Sequence, residues 1–327
     1  MGRPPGAILS PGMSAIDRLL FFGTPEFAVP TLAALVAAGR PPVLVVTQPS
    51  RPAGRGQRAQ DPPVATWARE HGLAVEQPER VRDPAFLERL AALAPDVAVV
   101  VAFGQIFPPA LLDLPRHGCV NLHASLLPRW RGASPIQAAV AAGEARTGVS
   151  TMLMEAGLDT GPILLEEVTE IGPQETAGEL ARRLAEAGGA LMVRTLQELE
   201  RGSLVPRLQP SEGATYAPRL TRDSGRVDWS LTALEIHNRL RAYTPWPGLT
   251  AELRGAPVKI AAAEVLAEGG VAAAPGTFLG LRGGRLAVAC GGGTLLGLTE
   301  LQRPGKRALR APDFANGERL KAGESFL

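Results

Sequence analysis

Between Leu19 and Thr47 the sequence reads as strand, turn, helix, strand, and that order leaves few folds open. Leu19 to Phe22 is an unbroken apolar run of strand length. Gly23-Thr24-Pro25-Glu26 then carries helix-start chemistry, with Thr24 as N-cap, Pro25 at the first helical position and Glu26 in the first turn. The helix is predicted to run to about Ala38 and stop at Gly39, with Val43 to Thr47 as the next strand. Such a βαβ opening predicts an α/β domain with a doubly wound, Rossmann-like parallel sheet and ligands at the carboxyl ends of its strands. It does not predict a dinucleotide site. The first turn lacks Gly-x-Gly-x-x-Gly, and Glu26 would repel a phosphate.

The pattern continues. Val64 to His71 reads as a short helix ended by Gly72, and Asp83 to Leu93 as another with Asp83 as N-cap and Pro84 next. Asp96 to Val101 is the most central strand candidate, closed by Phe103-Gly104-Gln105. Gly118 to His123 reads as a strand, and Ser134 to Ala142 as a helix capped by Ser134. Glu175 to Leu199 has a helical apolar period (Leu180, Leu184, Leu191, Leu196, Leu199), interrupted by Gly188 and Gly189. Gly202 to Pro218 carries Pro206, Pro210 and Pro218 and reads as a linker. After it, short apolar runs separated by glycine clusters, preceded by one helix over Ala233 to Ala242, predict a smaller OB-like β-barrel. A chain of 327 residues fits this division: an extension over 1–15, a catalytic domain over 16–201, a linker over 202–220 and a barrel over 221–327. The extension, MGRPPGAILSPGMSA, has no period and is expected to be disordered, with Met13 an alternative start.

Composition narrows the partners. A net charge of only +2 means that a nucleic acid must be met by local basic patches. Seven arginines face four acids between Arg201 and Arg241, and Arg303, Lys306, Arg307 and Arg310 form a second basic cluster. Gln48 to Pro63 is a long connection containing Arg51, Arg55 and Arg58 against the single acid Asp61, and it reads equally as a solvated loop or an RNA grip. The two cysteines, Cys119 and Cys290, have no ligand spacing, and no secretory apolar region precedes them, so the expected setting is a reducing cytoplasm. No apolar run reaches the roughly 18 residues of a membrane span. His71, His117 and His237 fall in no zinc-like spacing, and no metal is expected.

The chemistry concentrates in NLHASLLPRWRGASPIQ, Asn121 to Gln137. Asn121 and His123 alternate about Leu122, so on a strand they share a face. An amide and an imidazole aimed together can polarise a carbonyl and handle a proton. Taken alone, His123 reads more plainly as a satisfied buried group and Asn121 as a turn cap. Gly157 to Ile163, GLDTGPI, sets Asp159 in a tight turn between two apolar runs, where a local backbone bond is the plainer use of an Asp.

Together these segments resemble the active site of the folate-dependent formyltransferases and hydrolases. The longer string from Asn121 to Gln137 is similar to the branch of that family that formylates initiator Met-tRNA from 10-formyltetrahydrofolate. The resemblance implies Asn121, His123 and Asp159 as catalytic residues, and Ser125, Leu126, Leu127 and Pro128 as the segment bordering the folate. Gly104, Gln105 and Ile106 resemble the wall around the pterin. TQPSRPAGRG resembles the family's insertion loop on the tRNA acceptor stem, with Arg55 matching its key arginine. Here Gln57-Arg58 stands where the family often has two lysines, one charge fewer. Lys306 and Arg307 are expected to add barrel contacts to tRNA. Arg129 and Arg131 are either solvated or hold folate glutamate or RNA. Asp228 to Leu249 resembles the family's C-terminal domain, most plainly at Tyr243-Thr244-Pro245-Trp246-Pro247-Gly248, so the likeness covers about residues 17–325. A monomer is expected. Three rivals differ in acceptor or class: a glycinamide ribonucleotide transformylase, a formyltetrahydrofolate hydrolase that uses water, and a non-enzymatic RNA-binding protein.

Overall fold

The computed structural model describes residues 15–53, 58–267 and 269–327. Arg55 and nearly all of the expected N-terminal extension lie outside the described residues. The chain packs as two compact units: Met1–Gly132, Arg146–Glu170 and Ala181–Tyr216 form one, and Ala133–Ala145, Ile171–Leu180 and Ala217–Leu327 the other.

The first unit is built on a seven-stranded sheet in the order Ile163–Glu170, Arg146–Leu153, Cys119–His123, Val97–Val101, Leu19–Gly23, Leu44–Val46, Val75–Glu76. The last five are mutually parallel, and the first two run antiparallel at one edge. Leu19–Gly23 and Val97–Val101 are buried at every position, which is why both read as continuous apolar runs. In register, Phe22 lies opposite Val100, and Val100 opposite Asn121. The chain first moves outward from Leu19–Gly23 to Val75–Glu76 and then resumes on the other side at Val97–Val101. At such a reversal the connections diverge and leave a crevice at the carboxyl ends of the strands.

Local bonds there correct one expectation. Thr24 is not an N-cap: its hydroxyl donates to the carbonyl of Phe103 at 3.0 Å and accepts from the amide of Gln48 at 3.3 Å. Gln48 Nε2 donates to the same carbonyl at 3.1 Å, so three turns at the sheet's carboxyl edge are tied together. The residues after Thr24 form a short 3-10 turn, Glu26–Ala28, before the helix Val29–Ala37. Ser134 likewise precedes its helix, Pro135–Ala141, without a side-chain cap, whereas Asp83 does accept from the amide of Ala85 at 3.1 Å.

The largest correction concerns Gly188 and Gly189, which do not interrupt a helix. Ala177–Glu200 is continuous through both. A Cβ on Gly188 would lie 2.5 Å from Leu122 Cδ2, and one on Gly189 2.9 Å from the carbonyl oxygen of Pro30. Each glycine costs the helix about 1 kcal/mol of propensity. Their use is close approach, which seats the helix against the strand carrying Asn121 and His123.

Within Gln48 to Pro63, Arg51–Ala53 and Arg58–Gln60 pair as an antiparallel ribbon. Asp61 is engaged by Ser50 and Arg69. The proline-rich stretch after Gly202 also does more than connect. Arg207 exchanges backbone hydrogen bonds of 2.9 and 2.8 Å with Ile163 at the sheet edge.

The second unit holds the helix Ala233–Ala242, opened by a reciprocal cap between Thr232 and Glu235. Its antiparallel sheet runs in the order Leu249–Leu253, Ala256–Ala267, Thr294–Gln302, Arg285–Cys290, Phe278–Arg282. Residues 324–327 tie its two outer strands. Glu252 and Leu327 exchange bonds of 2.7 and 2.8 Å, the amide of Phe278 donates to Glu324 at 2.8 Å, and that of Phe326 to Gly276 at 2.9 Å. The sheet thus closes on itself and hides its edges. Trp229, Ile236, Ile260, Val288, Phe314 and Phe326 are among the side chains of its core. Among the described residues no helix is long and apolar enough to cross a membrane.

Candidate active site

Cys119–His123 is the strand where the parallel and antiparallel parts of the first sheet meet: Val100 lies opposite Asn121 on one side, and Met152 opposite Asn121 on the other. Its apolar members are buried, Asn121 is half-buried and His123 is 6% exposed. A nearly buried imidazole must spend its ring nitrogens on named partners. Nε2 lies 2.9 Å from the carbonyl oxygen of Trp130. A carbonyl only accepts, so Nε2 carries the proton and donates it there. That commitment leaves Nδ1 facing the third group, 3.7 Å from Asp159 Oδ2.

Asp159 arrives on the turn between Arg146–Leu153 and Ile163–Glu170. Its backbone is left-handed (φ 52°), an unfavourable region for an L residue that the surroundings must enforce. Gly161 makes the sharp return possible, since a Cβ there would sit 1.8 Å from the carbonyl oxygen of Leu153. The carboxylate is fixed by the amide of Gly132, which donates to Oδ2 at 2.8 Å. The main chain is fixed by Gln209, whose Nε2 donates to the carbonyls of Asp159 and Gly161, both at 2.8 Å. Gln209 Oε1 in turn accepts from Arg131 Nε at 3.0 Å and Nη2 at 2.7 Å.

Arg131 is therefore not a solvated charge. It is buried, and its guanidinium is given to Gln209. Gln209 and Thr215 were invisible to motif reasoning. Thr215 Oγ1 accepts from the amide of Trp130 at 2.9 Å, and its carbonyl accepts from Arg131 at 2.9 Å. A polar residue in a proline-rich stretch carries no periodic signal, and its partners lie far away in sequence.

The other expected site residues fall as follows. Ser125 is fully buried, donating to the carbonyl of Arg129 at 2.6 Å, while Ser150 Oγ donates to the carbonyl of Ser125 at 2.7 Å. Leu127 is buried against Met152 and Ile163, and the Leu127–Pro128 peptide is cis. Leu126 and Pro128 are half-buried. Gln105 Oε1 accepts from the amide of Val81 at 2.9 Å, holding the turn after the central strand. Gly104 is exposed at φ 85°, and the neighbouring Ile106 is 91% exposed, a bare apolar ledge at the carboxyl edge of the sheet.

Of the basic residues, Arg51 is exposed and Arg58 opens the second strand of the ribbon. Lys306 and Arg307 are exposed on a turn of the second unit. The clusters they were grouped with are thinner than their charges imply. Arg303 is bonded to both carboxylate oxygens of Glu318 at 2.9 and 2.8 Å, Arg207 pairs with Glu166, and Arg241 is buried. Arg241 donates to the carbonyls of Gly172 and Glu175 within its unit. Both cysteines are free and buried, and burial pushes the Cys290 thiol up to about 12 and Cys119 higher still, so neither is a nucleophile.

Asn121 and His123 share a strand face, Asp159 lies beside His123, and a closed antiparallel unit follows the doubly wound sheet; the chain is a formyl transferase. Residues 17–196 match the formyl transferase family, and residues 219–319 match the formyl transferase C-terminal domain. A methionyl-tRNA formyltransferase from Gluconobacter oxydans is 51% identical over 311 residues, 95% of this chain and 100% of that protein. One from Myxococcus xanthus is 49% identical over 306 residues, 94% and 96% of the two chains. The chain belongs to the methionyl-tRNA formyltransferase family. The same fold occurs in the N-formyltransferase of Helicobacter canadensis solved with folinic acid and dTDP-3-aminofucose (TM-score 0.65, 18% identity, covering 87% of this chain and 99% of that one).

Proposed function

We propose that this enzyme moves the formyl group of 10-formyltetrahydrofolate to the α-amino nitrogen of initiator methionyl-tRNA. The observation that carries the reading is the approach of Asp159 to His123, on the sheet face that Asn121 shares. Asn121 donates its amide N–H to the formyl oxygen as negative charge develops there, worth on the order of 3 kcal/mol for one donor. Asp159 takes a proton from the amine as the new N–C bond forms, then returns it to the folate nitrogen as the old bond breaks. Gly132 holds Oδ2, which leaves Oδ1 for this transfer. His123, with Nε2 committed to Trp130, turns Nδ1 toward the carboxyl group, where it can accept a hydrogen bond while Asp159 holds the amine's proton.

Gly104, Gln105 and Ile106, with Ser125, Leu126, Leu127 and Pro128, border the folate. The exposed isoleucine beside an exposed glycine suits a flat apolar ring with main-chain polar groups. Arg51, Arg55, Arg58, Lys306 and Arg307 meet the tRNA backbone. The enzyme acts as a cytoplasmic monomer, a setting in keeping with two buried free thiols, and light scattering tests the mass.

The deciding experiment mixes enzyme, 10-formyltetrahydrofolate and charged initiator tRNA. Formylmethionyl-tRNA and tetrahydrofolate are expected in equal amounts. Formate released with the tRNA untouched, or a ribonucleotide amine formylated in its place, would overturn the assignment.

A further inference from the structure

Three consecutive residues grip everything that moves a proton in this site. The carbonyl of Trp130 receives His123 Nε2–H, the amide of Gly132 holds Asp159 Oδ2, and Arg131 between them holds Gln209. Gln209 spends both amide hydrogens on the turn that carries Asp159. That turn needs holding, because Asp159 is left-handed, a conformation an L residue keeps only where its surroundings enforce it. The 3.7 Å separation of Nδ1 and Oδ2 is beyond a direct hydrogen bond, so the imidazole alone does not fix the carboxylate.

We propose that Gln209, oriented by the buried Arg131, is a positioning residue that sets Asp159 for proton transfer. This rests on the role given to Asp159 under the proposed function. Arg131 supplies two donors to one oxygen, which fixes which end of the Gln209 amide faces the turn. Only an amide fits both neighbours: it accepts from Arg131 and donates to two carbonyls. A carboxylate would pair with Arg131 at least as well but would turn oxygen lone pairs toward the carbonyls of Asp159 and Gly161.

That asymmetry separates positioning from stability. Gln209→Glu is expected to keep a melting temperature within a few degrees of wild type, because the arginine stays paired, yet to lose about 100-fold in kcat, the scale of a displacement near 1 Å. KM for both substrates should change less than about threefold. Gln209→Ala should show the same kcat loss. A Gln209→Glu enzyme with wild-type kcat overturns the proposal, as does a loss expressed only in KM or tracking only the melting temperature. The ¹⁵N resonances of the His123 ring supply a readout independent of turnover. Both variants should shift Nδ1 and leave Nε2 bonded to Trp130, and an unchanged Nδ1 in both overturns the proposal. Wild-type enzyme that fails to formylate Met-tRNA would count against the proposed reaction alone, since the ring resonances still test the clamp.

Discussion

The two units handle polar groups in opposite ways. In the first, His123 and Arg131 are buried, and each is hydrogen-bonded to a partner brought by a loop. In the second, Lys306 and Arg307 stand exposed on a turn, and the charges that are drawn inward, such as Arg303 and Arg241, hold the fold together. A parallel sheet covered on both faces leaves its strand ends as the natural place for chemistry, whereas a closed antiparallel sheet offers its outer surface. Changes in the first unit should therefore appear in rate, and changes on the second unit's surface in affinity.

The sharpest break of that contrast is Asp159→Ala. Turnover should fall at least about 1,000-fold while folate and tRNA still bind, as equilibrium titration would measure. Wild-type turnover would remove the carboxylate from the chemistry. Asn121→Ala should cost about 100- to 1,000-fold in kcat for loss of one oxyanion donor, with KM nearly constant. A KM effect alone would make Asn121 a binding group. On the second unit, Lys306→Ala with Arg307→Ala should leave the folate KM untouched and weaken tRNA binding. The plot of log Kd against log salt should become shallower by about 1 to 2, one released counterion per lost phosphate contact. An unaltered slope would place tRNA elsewhere.

The smallest effect is a pH dependence of stability. Burial, with the nearby charge of Arg241, pushes the pKa of His237 below its ordinary 6.5. The unfolded chain thus binds this proton first, and acidification below about 6.5 destabilises the folded state until the depressed pKa is reached. His237→Gln should flatten that limb of a melting-temperature profile, and an unchanged limb would assign it to other groups.

Much of this was legible in the chain. Runs such as Val97–Val101 are buried on both faces and so announce themselves, and Asn121 and His123 share a face through the period of a strand. The unreadable parts depend on distance. Nothing near Gln209 points to Arg131, because the bond spans 78 residues. Thr24 has a good capping sequence, but its hydroxyl is taken by Phe103, 79 residues away. Gly188 and Gly189 look like a break because propensity is local, while their reason, room for Leu122 and for the backbone of Pro30, is not. Charge counts overstate the basic surfaces for the same reason: a count cannot see that Arg303 is already spoken for by Glu318.

The short run from Trp130 to Gly132 holds both His123 and Asp159 from one piece of main chain, so neither can be retuned alone. Substitutions there should interact strongly with substitutions at His123 or Asp159, and double-mutant cycles should return coupling energies far from zero. Evolution along this strip is accordingly a joint walk: a sequence that shifts the backbone for one partner must at the same step suit the other.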